Sequence, residues 1–335
     1  MAINPLQTKL ADALTALKKL QEAGKTAIKS SDLTLNHRKS LVNNGFLRPI
    51  VKGWYMPTRP GEASGDSTPW YAVMRDFING YCAERFGDAW YVSPEYSLLL
   101  HAGNTISPRQ VVIHSPLGKN GLLNLPDNCS ILDYKAKDFA PAVKIDKVEG
   151  IRVLTLPLAL TKVTESFFVN FAQDAQIVLH RIRDASELNR ELLEGGRSLV
   201  AGRLAGALRA SGRAELADDV LATMRSAGFV VNEKNPFVAN PPGLIFSRAQ
   251  SPYVLRMRMM WQTMRETVLS CFPPEPGIPS DTVKFMDAVE EKYQTDAYHS
   301  LSIEGYRVTT DLIRKVATGA WNPDVNSSDA EVKNA

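Results

Sequence analysis

The side chains best placed for chemistry lie late in the chain, in "DAYHSLSIEGYRVTTDLIRKV", where Ser300 and Glu304 stand four residues apart and Gly305 follows. On a helix, a hydroxyl and a carboxylate at that spacing share one face. A glycine directly after them can take the positive φ that lets the chain turn away. A carboxylate on such a face pairs bidentately with a guanidinium and competes for charge that a phosphate would otherwise use. Glu304 is therefore expected to be aimed at a partner surface that this chain does not contain.

Other residue types with chemical potential do not assemble in the sequence. His101, His114 and His180 have no carboxylate or cysteine at ligand spacing, so no metal site is expected. Cys82, Cys129 and Cys271 are far apart, and their odd number argues against a disulfide framework. Gly195, Gly196, Gly202, Gly206 and Gly212 do not form a phosphate loop and are expected to permit close helix packing. Arg197, Arg203, Arg209 and Arg213 could make an anion-facing stripe, although a solvated helix face is the simpler expectation. The sequence has no G-x-S-x-G elbow and no Gly-Ser with spaced aspartates to hold a metal and a triphosphate.

These residues must be positioned by a chain of 335 residues, long enough for two or three domains. Apolar residues make up 44 %, which supports packed cores, and no run approaches the roughly 18–20 residues of a membrane span. The start, "MAINPLQTKLADAL", lacks a basic region followed by an apolar block, so a cytoplasmic protein with no membrane partner is expected. Net charge is +3 overall, but residues 1–60 hold ten Lys/Arg against three acids, or +7, leaving −4 on the other 275. That asymmetry points to a polyanionic partner for the N-terminal end.

"NPLQTKLADALTALKKLQEAG" has apolar residues at helical spacing and Gly24 to end it. A short helix is expected over "TAIKSSDL". A third helix follows in "TLNHRKSLVNNGF", with Leu35, Leu41 and Val42 inward and Asn36, His37, Arg38, Lys39 and Asn43 outward. "FLRPIVKGWYMP" then predicts two short strands joined through Val51-Lys52-Gly53. This order is that of a winged helix-turn-helix, in which the third helix enters the major groove and the wing touches phosphates. The expected DNA contacts are Asn36, His37, Arg38, Lys39, Asn43, Arg48 and Lys52; a solvated helical cap is the competing reading.

Beyond a Gly/Ser/Pro-rich linker at 59–69, helical and strand-like segments alternate. "WYAVMRDFINGYCAERF" and "PEYSLLLHAG" read as helices, and "DAWYVS", "RQVVIHSP", "CSILDYK" and "GIRVLTLP" as strands. From "LPLALTKV" to residue 229 the period is helical, with a break near Gly195-Gly196. On "GFLRPIVKGWYMP", "YVSPEYSLLLHAG" and "RVLTLPLALTKV", residues 1–235 resemble the AbiEi-type antitoxins. The resemblance implies DNA binding, often autoregulatory, and antitoxin-like control of a partner activity.

A Pro/Asn-rich connector at 232–246 leads to "SPYVLRMRMMWQTMRETVLSCF", an amphipathic helix. Its stripe of Met257, Met260, Trp261, Met264 and Val268 is expected to pack within the chain. The next helix runs into "SLSIEG". With "YHSLSIEGYRVT" before "TDLIRKVATG", it resembles the [S/T]-x-x-x-E-[G/N] inhibitory helix of Fic-family (Fido) AMP-transferases. The resemblance implies that Glu304 pairs with the active-site arginine of a Fic core and blocks placement of the ATP γ-phosphate, with Ser300 and Gly305 completing the motif. The Fic catalytic run H-x-F-x-[D/E]-G-N-G-R is absent from these 335 residues. ATP and magnesium are therefore expected only for a Fic core elsewhere, in cis or in trans, and no cofactor is expected in this chain.

The expectation is thus an α+β chain: a winged helix-turn-helix over 1–60, an AbiEi-like α/β domain with helical extension over 70–232, and a C-terminal helical segment over 245–325. The expected partners are DNA, a Fic catalytic domain and, in an oligomer, further copies of the chain. A plain transcriptional regulator with no Fic partner is the alternative.

Overall fold

The computed structural model describes residues 5–61, 67–238, 251–275, 277–303 and 309–321. The fold is α+β, and the chain divides into two compact units, Met1–Met264 and Arg265–Ala335.

The first unit opens with helix α1 (Pro5–Glu22), strand β1 (Ile28–Lys29), helix α2 (Leu35–Asn43) and the hairpin β2 (Leu47–Val51) and β3 (Trp54–Pro57). The strands pair antiparallel in the order β1-β3-β2. Where a short second helix was expected, the chain makes β1 and then a turn. Asp32 closes that turn by accepting from the Lys29 N–H at 2.9 Å and from Lys25 Nζ at 2.6 Å. Burial alone would raise the Asp32 carboxyl, but those two hydrogen bonds and the nearby ammonium charges outweigh it and hold the group below its ordinary value.

Ala13, Leu17, Ile28, Leu33, Leu41 and Leu47 form a small core of this region's own. Leu35, expected inward, is 54 % exposed, and Leu33 just before the helix fills the inner place. The other face of the three-stranded sheet joins the main core through Trp54 and Met56. Trp54 meets Phe77 edge-on, with ring centroids 5.5 Å apart. It lies over Gly80, where any Cβ would collide with the indole.

The main core is built on helix α3 (Thr68–Phe86), strand β4 (Tyr91–Val92) and helix α4 (Pro94–His101), capped by the Ser93 hydroxyl. Strands β5 (Gln110–Ser115), β6 (Gly121–Asn124) and β7 (Ser130–Lys135) follow. They form a sheet of order β4-β5-β7-β6, in which β5 and β7 are parallel and the other pairs antiparallel. A separate hairpin joins β8 (Ile145–Val148) to β9 (Ile151–Leu154). Its two-residue loop, Glu149-Gly150, has both φ values positive, which suits the right-handed twist of the flanking strands. Strands β6 and β8 were not anticipated; both are short, no residue of either is buried, and neither carries a long apolar run.

Six helices follow and cover this core: α5 (Leu156–Lys162), α6 (Glu165–Asn170), α7 (Ala172–Arg181), α8 (Ala185–Gly195), α9 (Ser198–Ala210) and α10 (Ala214–Ser226). Gly202 and Gly206 sit one turn apart on α9. They receive the backbone of residues 232–235 rather than a second helix, with the Lys234 N–H donating to Gly202 O at 3.1 Å.

Helix α11 (Pro252–Cys271) buries Leu255 and Met259. Its Arg256 forms an ion pair with the buried Asp174, which also accepts from Asn104 at 3.1 and 3.2 Å. The Met/Trp stripe expected to pack inward lies outward instead: Met257, Met260, Trp261 and Met264 are 66, 48, 60 and 51 % exposed. The Arg256–Asp174 pair fixes which face of the helix turns inward, and that face carries Leu255 and Met259.

The second unit contains α12 (Thr282–Ile303) and α13 (Thr310–Ala317). Leu312 and Ile313 are buried there, against Ala297 and Trp321. Among the described residues, no helix is long and apolar enough to cross a membrane.

Candidate nucleic-acid interface

Thr34 starts α2 by accepting from the His37 N–H at 3.2 Å, and this fixes the rotation of the helix. With Leu41 in the core, the i, i+3, i+7 set Asn36, Lys39 and Asn43 falls on one exposed face. His37 and Arg38 are half-buried. Arg38 donates to the Ser30 carbonyl at 2.8 Å, and its guanidinium carbon stands 5.8 Å from the Tyr55 ring centre. It braces α2 against the turn after β1 and against β3.

At the hairpin tip, Lys52 is exposed and Gly53 takes φ +89°, which a side chain would resist. Arg48 is the expected contact that the fold diverts most: its Nη2 lies 3.6 Å from Asp127 Oδ2, on the β6–β7 connection. Other N-terminal cations are also engaged. Lys18 pairs with Glu22 at 3.6 Å, Lys25 with Asp32 at 2.6 Å, and Lys29 with Glu84 at 3.2 Å. Among the described residues, Arg38, Lys39, Lys52 and Arg59 remain on α2, the hairpin and its exit without a carboxylate in ion-pair range. Glu84 and Asp127, which neutralise Lys29 and Arg48, lie far along the chain, and no local pattern pointed to them.

Of the Ser300, Glu304 and Gly305 motif, the structure places only the first residue. Ser300 is exposed in the last turn of α12, whereas Glu304 and Gly305 lie outside the described residues. Thr309 then caps α13 by accepting from the Leu312 N–H at 3.2 Å.

The remaining chemistry-bearing groups have structural surroundings. His101 is buried with Nε2 at 2.8 Å from Leu154 O, and burial lowers its basicity. His114 stacks on Tyr91 at 5.4 Å. Among the described residues, no three His, Cys, Asp or Glu side chains converge as a ligand set.

The α8–α10 arginines are not a merely solvated stripe, because each side chain finds protein acceptors. Arg197 donates to Thr161 O at 3.0 Å and Arg203 to Val163 O at 2.6 Å, at the end of α5. Arg213 donates to His180 O and Ile182 O at 3.1 and 3.0 Å, at the end of α7. Each satisfies carbonyls that a helix terminus leaves without partners, at the negative end of the helix dipole. Arg209 pairs with Asp218 and Glu233.

No family model, no curated protein and no solved structure matches this chain.

Proposed function

We propose that the N-terminal region acts as a winged helix-turn-helix that binds duplex DNA. In this reading α2 enters the major groove with Asn36, Lys39 and Asn43 toward the bases, and Lys52 on the wing meets a phosphate. The observation that carries it is the exposed Asn36/Lys39/Asn43 face beside a basic two-residue hairpin tip, on a region with its own small core. The turn at 30–33 takes the place of the second helix, and Arg38 supplies the brace that such a helix gives. Asparagine suits adenine edges in the major groove, so Asn36→Ala and Asn43→Ala are expected to relax base preference, whereas Lys52→Ala weakens all sequences alike. The test is selection of bound duplexes from a random pool followed by anisotropy titration. An absence of duplex binding by the full chain at low salt would overturn the assignment.

A second activity is proposed for the C-terminal unit: restraint of a Fic AMP-transferase by Glu304, as antitoxin-like control in cis or in trans. It is supported by the motif and by the exposure of α12, whose Val283, Phe285, Met286, Val289 and Tyr293 are 70, 52, 53, 44 and 49 % exposed. AMP transfer by a Fic catalytic domain is measured with this chain and with its Glu304→Gly variant. Inhibition by the first and release by the second are expected; equal rates leave a DNA-binding regulator without a Fic partner.

A further inference from the structure

Two half-buried cations share one cleft, and among the described residues neither has a carboxylate in ion-pair range. Lys162 is the last residue of α5, and Arg197 precedes α9. Both line a cleft of about 220 Å³ between the 138–141 loop and the α8–α9 junction. A third cation there, Lys144, is paired twice: with Glu191 at 2.8 Å and with Glu194 at 2.5 Å. Among the described residues, neither Lys162 nor Arg197 has an acid within 4.0 Å, although Asp138 also lines the cleft.

Arg197 is held in place. Its side chain folds over Gly195, where a Cβ would collide with it, and Nη1 donates to Thr161 O and Oγ1 at 3.0 and 3.2 Å. Those bonds leave Nη2 for another acceptor. Burial lowers the basicity of the Lys162 amine, and the Arg197 charge lowers it further; Asp138 and Glu191 oppose this and Lys144 adds to it. Holding these two cations near each other costs stability, and a bound dianion would remove that cost.

We propose that this cleft binds a small phosphate-bearing molecule, its dianionic group held between Lys162 and Arg197. Lys162 and Arg197 together offer two cationic donors to the oxygens of a phosphate monoester, while the cleft as a whole carries three cations and three carboxylates, Asp138, Glu191 and Glu194. The volume, roughly seven waters' worth, leaves room for an attached organic group against Phe139 and Leu158. The proposal does not depend on the DNA-binding reading.

The experiment titrates the full chain with inorganic phosphate, phenyl phosphate and succinate at constant ionic strength, by calorimetry and thermal melting. Saturable binding is expected for both phosphates, tighter for the phenyl ester. Lys162→Gln should weaken it by about tenfold, the cost of one charge-assisted hydrogen bond. Without ligand, Lys162→Gln should melt no lower than the parent, because it relieves repulsion, yet it should lose the phosphate-induced rise. Lys39→Ala should bind phosphate as the parent does, which separates this site from the DNA-facing surface. The proposal is overturned if the parent shows no saturable binding, if Lys162→Gln binds equally well, if Lys39→Ala abolishes binding, or if succinate matches phenyl phosphate.

Discussion

Salt dependence offers the sharpest test of the proposed DNA-binding surface, because the ion pairs of the structure set how many charges are free to take part. Residues 1–60 contain ten Lys/Arg. If all ten neutralised phosphates, log K would fall with log salt at a slope of about −9. Pairing of Lys18, Lys25, Lys29 and Arg48 removes four of these, and Lys9 and Lys19 lie on α1 rather than on α2 or the hairpin. Arg38, Lys39, Lys52 and Arg59 remain, and four contacts give a slope of about −3.6, or roughly a 150-fold loss of affinity between 50 and 200 mM salt. Lys52→Ala should reduce the slope to about −2.7 and that loss to about 40-fold. Arg48→Ala should leave the slope within about half a unit of the parent's, since Asp127 already holds its charge. Fluorescence anisotropy on a labelled duplex across a salt series measures all three. A parent slope steeper than about −6, or an unchanged slope in Lys52→Ala, would refute the count and the surface it rests on.

Gly206→Ala would drive a methyl group into the Lys234 carbonyl and should destabilise the first unit by about 1–3 kcal/mol, read as a fall in melting temperature. Asp174→Ala leaves the half-buried Arg256 without its partner and should cost roughly 3 kcal/mol in denaturant unfolding; adding Arg256→Met should recover part of that loss. His180 is held neutral chiefly by burial and then by the Arg213 charge, with its pKa lowered to about 4 from 6.5. The unfolded chain therefore binds the extra proton first, and stability should fall as pH drops from 6.5 to about 4 and level off below. After discounting for partial exposure, the loss is on the order of 1–2 kcal/mol, and His180→Asn should flatten the profile measured by urea unfolding at each pH.

Much of this protein was determined by the sequence alone, because the determinants are local. Helical spacing of leucines set α1, the segment "TLNHRKSLVNNGF" held α2, and Val51-Lys52-Gly53 set the hairpin between β2 and β3. The alternating middle region likewise placed α3, α4, β5, β7 and β9, and the charge asymmetry of residues 1–60 needed only counting. Tertiary structure alone decided which of those charges are available. Arg48 and Lys29 lose theirs to Asp127 and Glu84, residues whose nearness is created by the fold and leaves no periodic trace in the chain. It also decided that Gly202 and Gly206 accept a backbone segment, that Arg197, Arg203 and Arg213 close the ends of other helices, and that α11 turns its Met/Trp stripe outward once Asp174 has captured Arg256. Periodicity tells a helix that it has two faces, but the partners that choose between them are supplied by contacts distant in sequence.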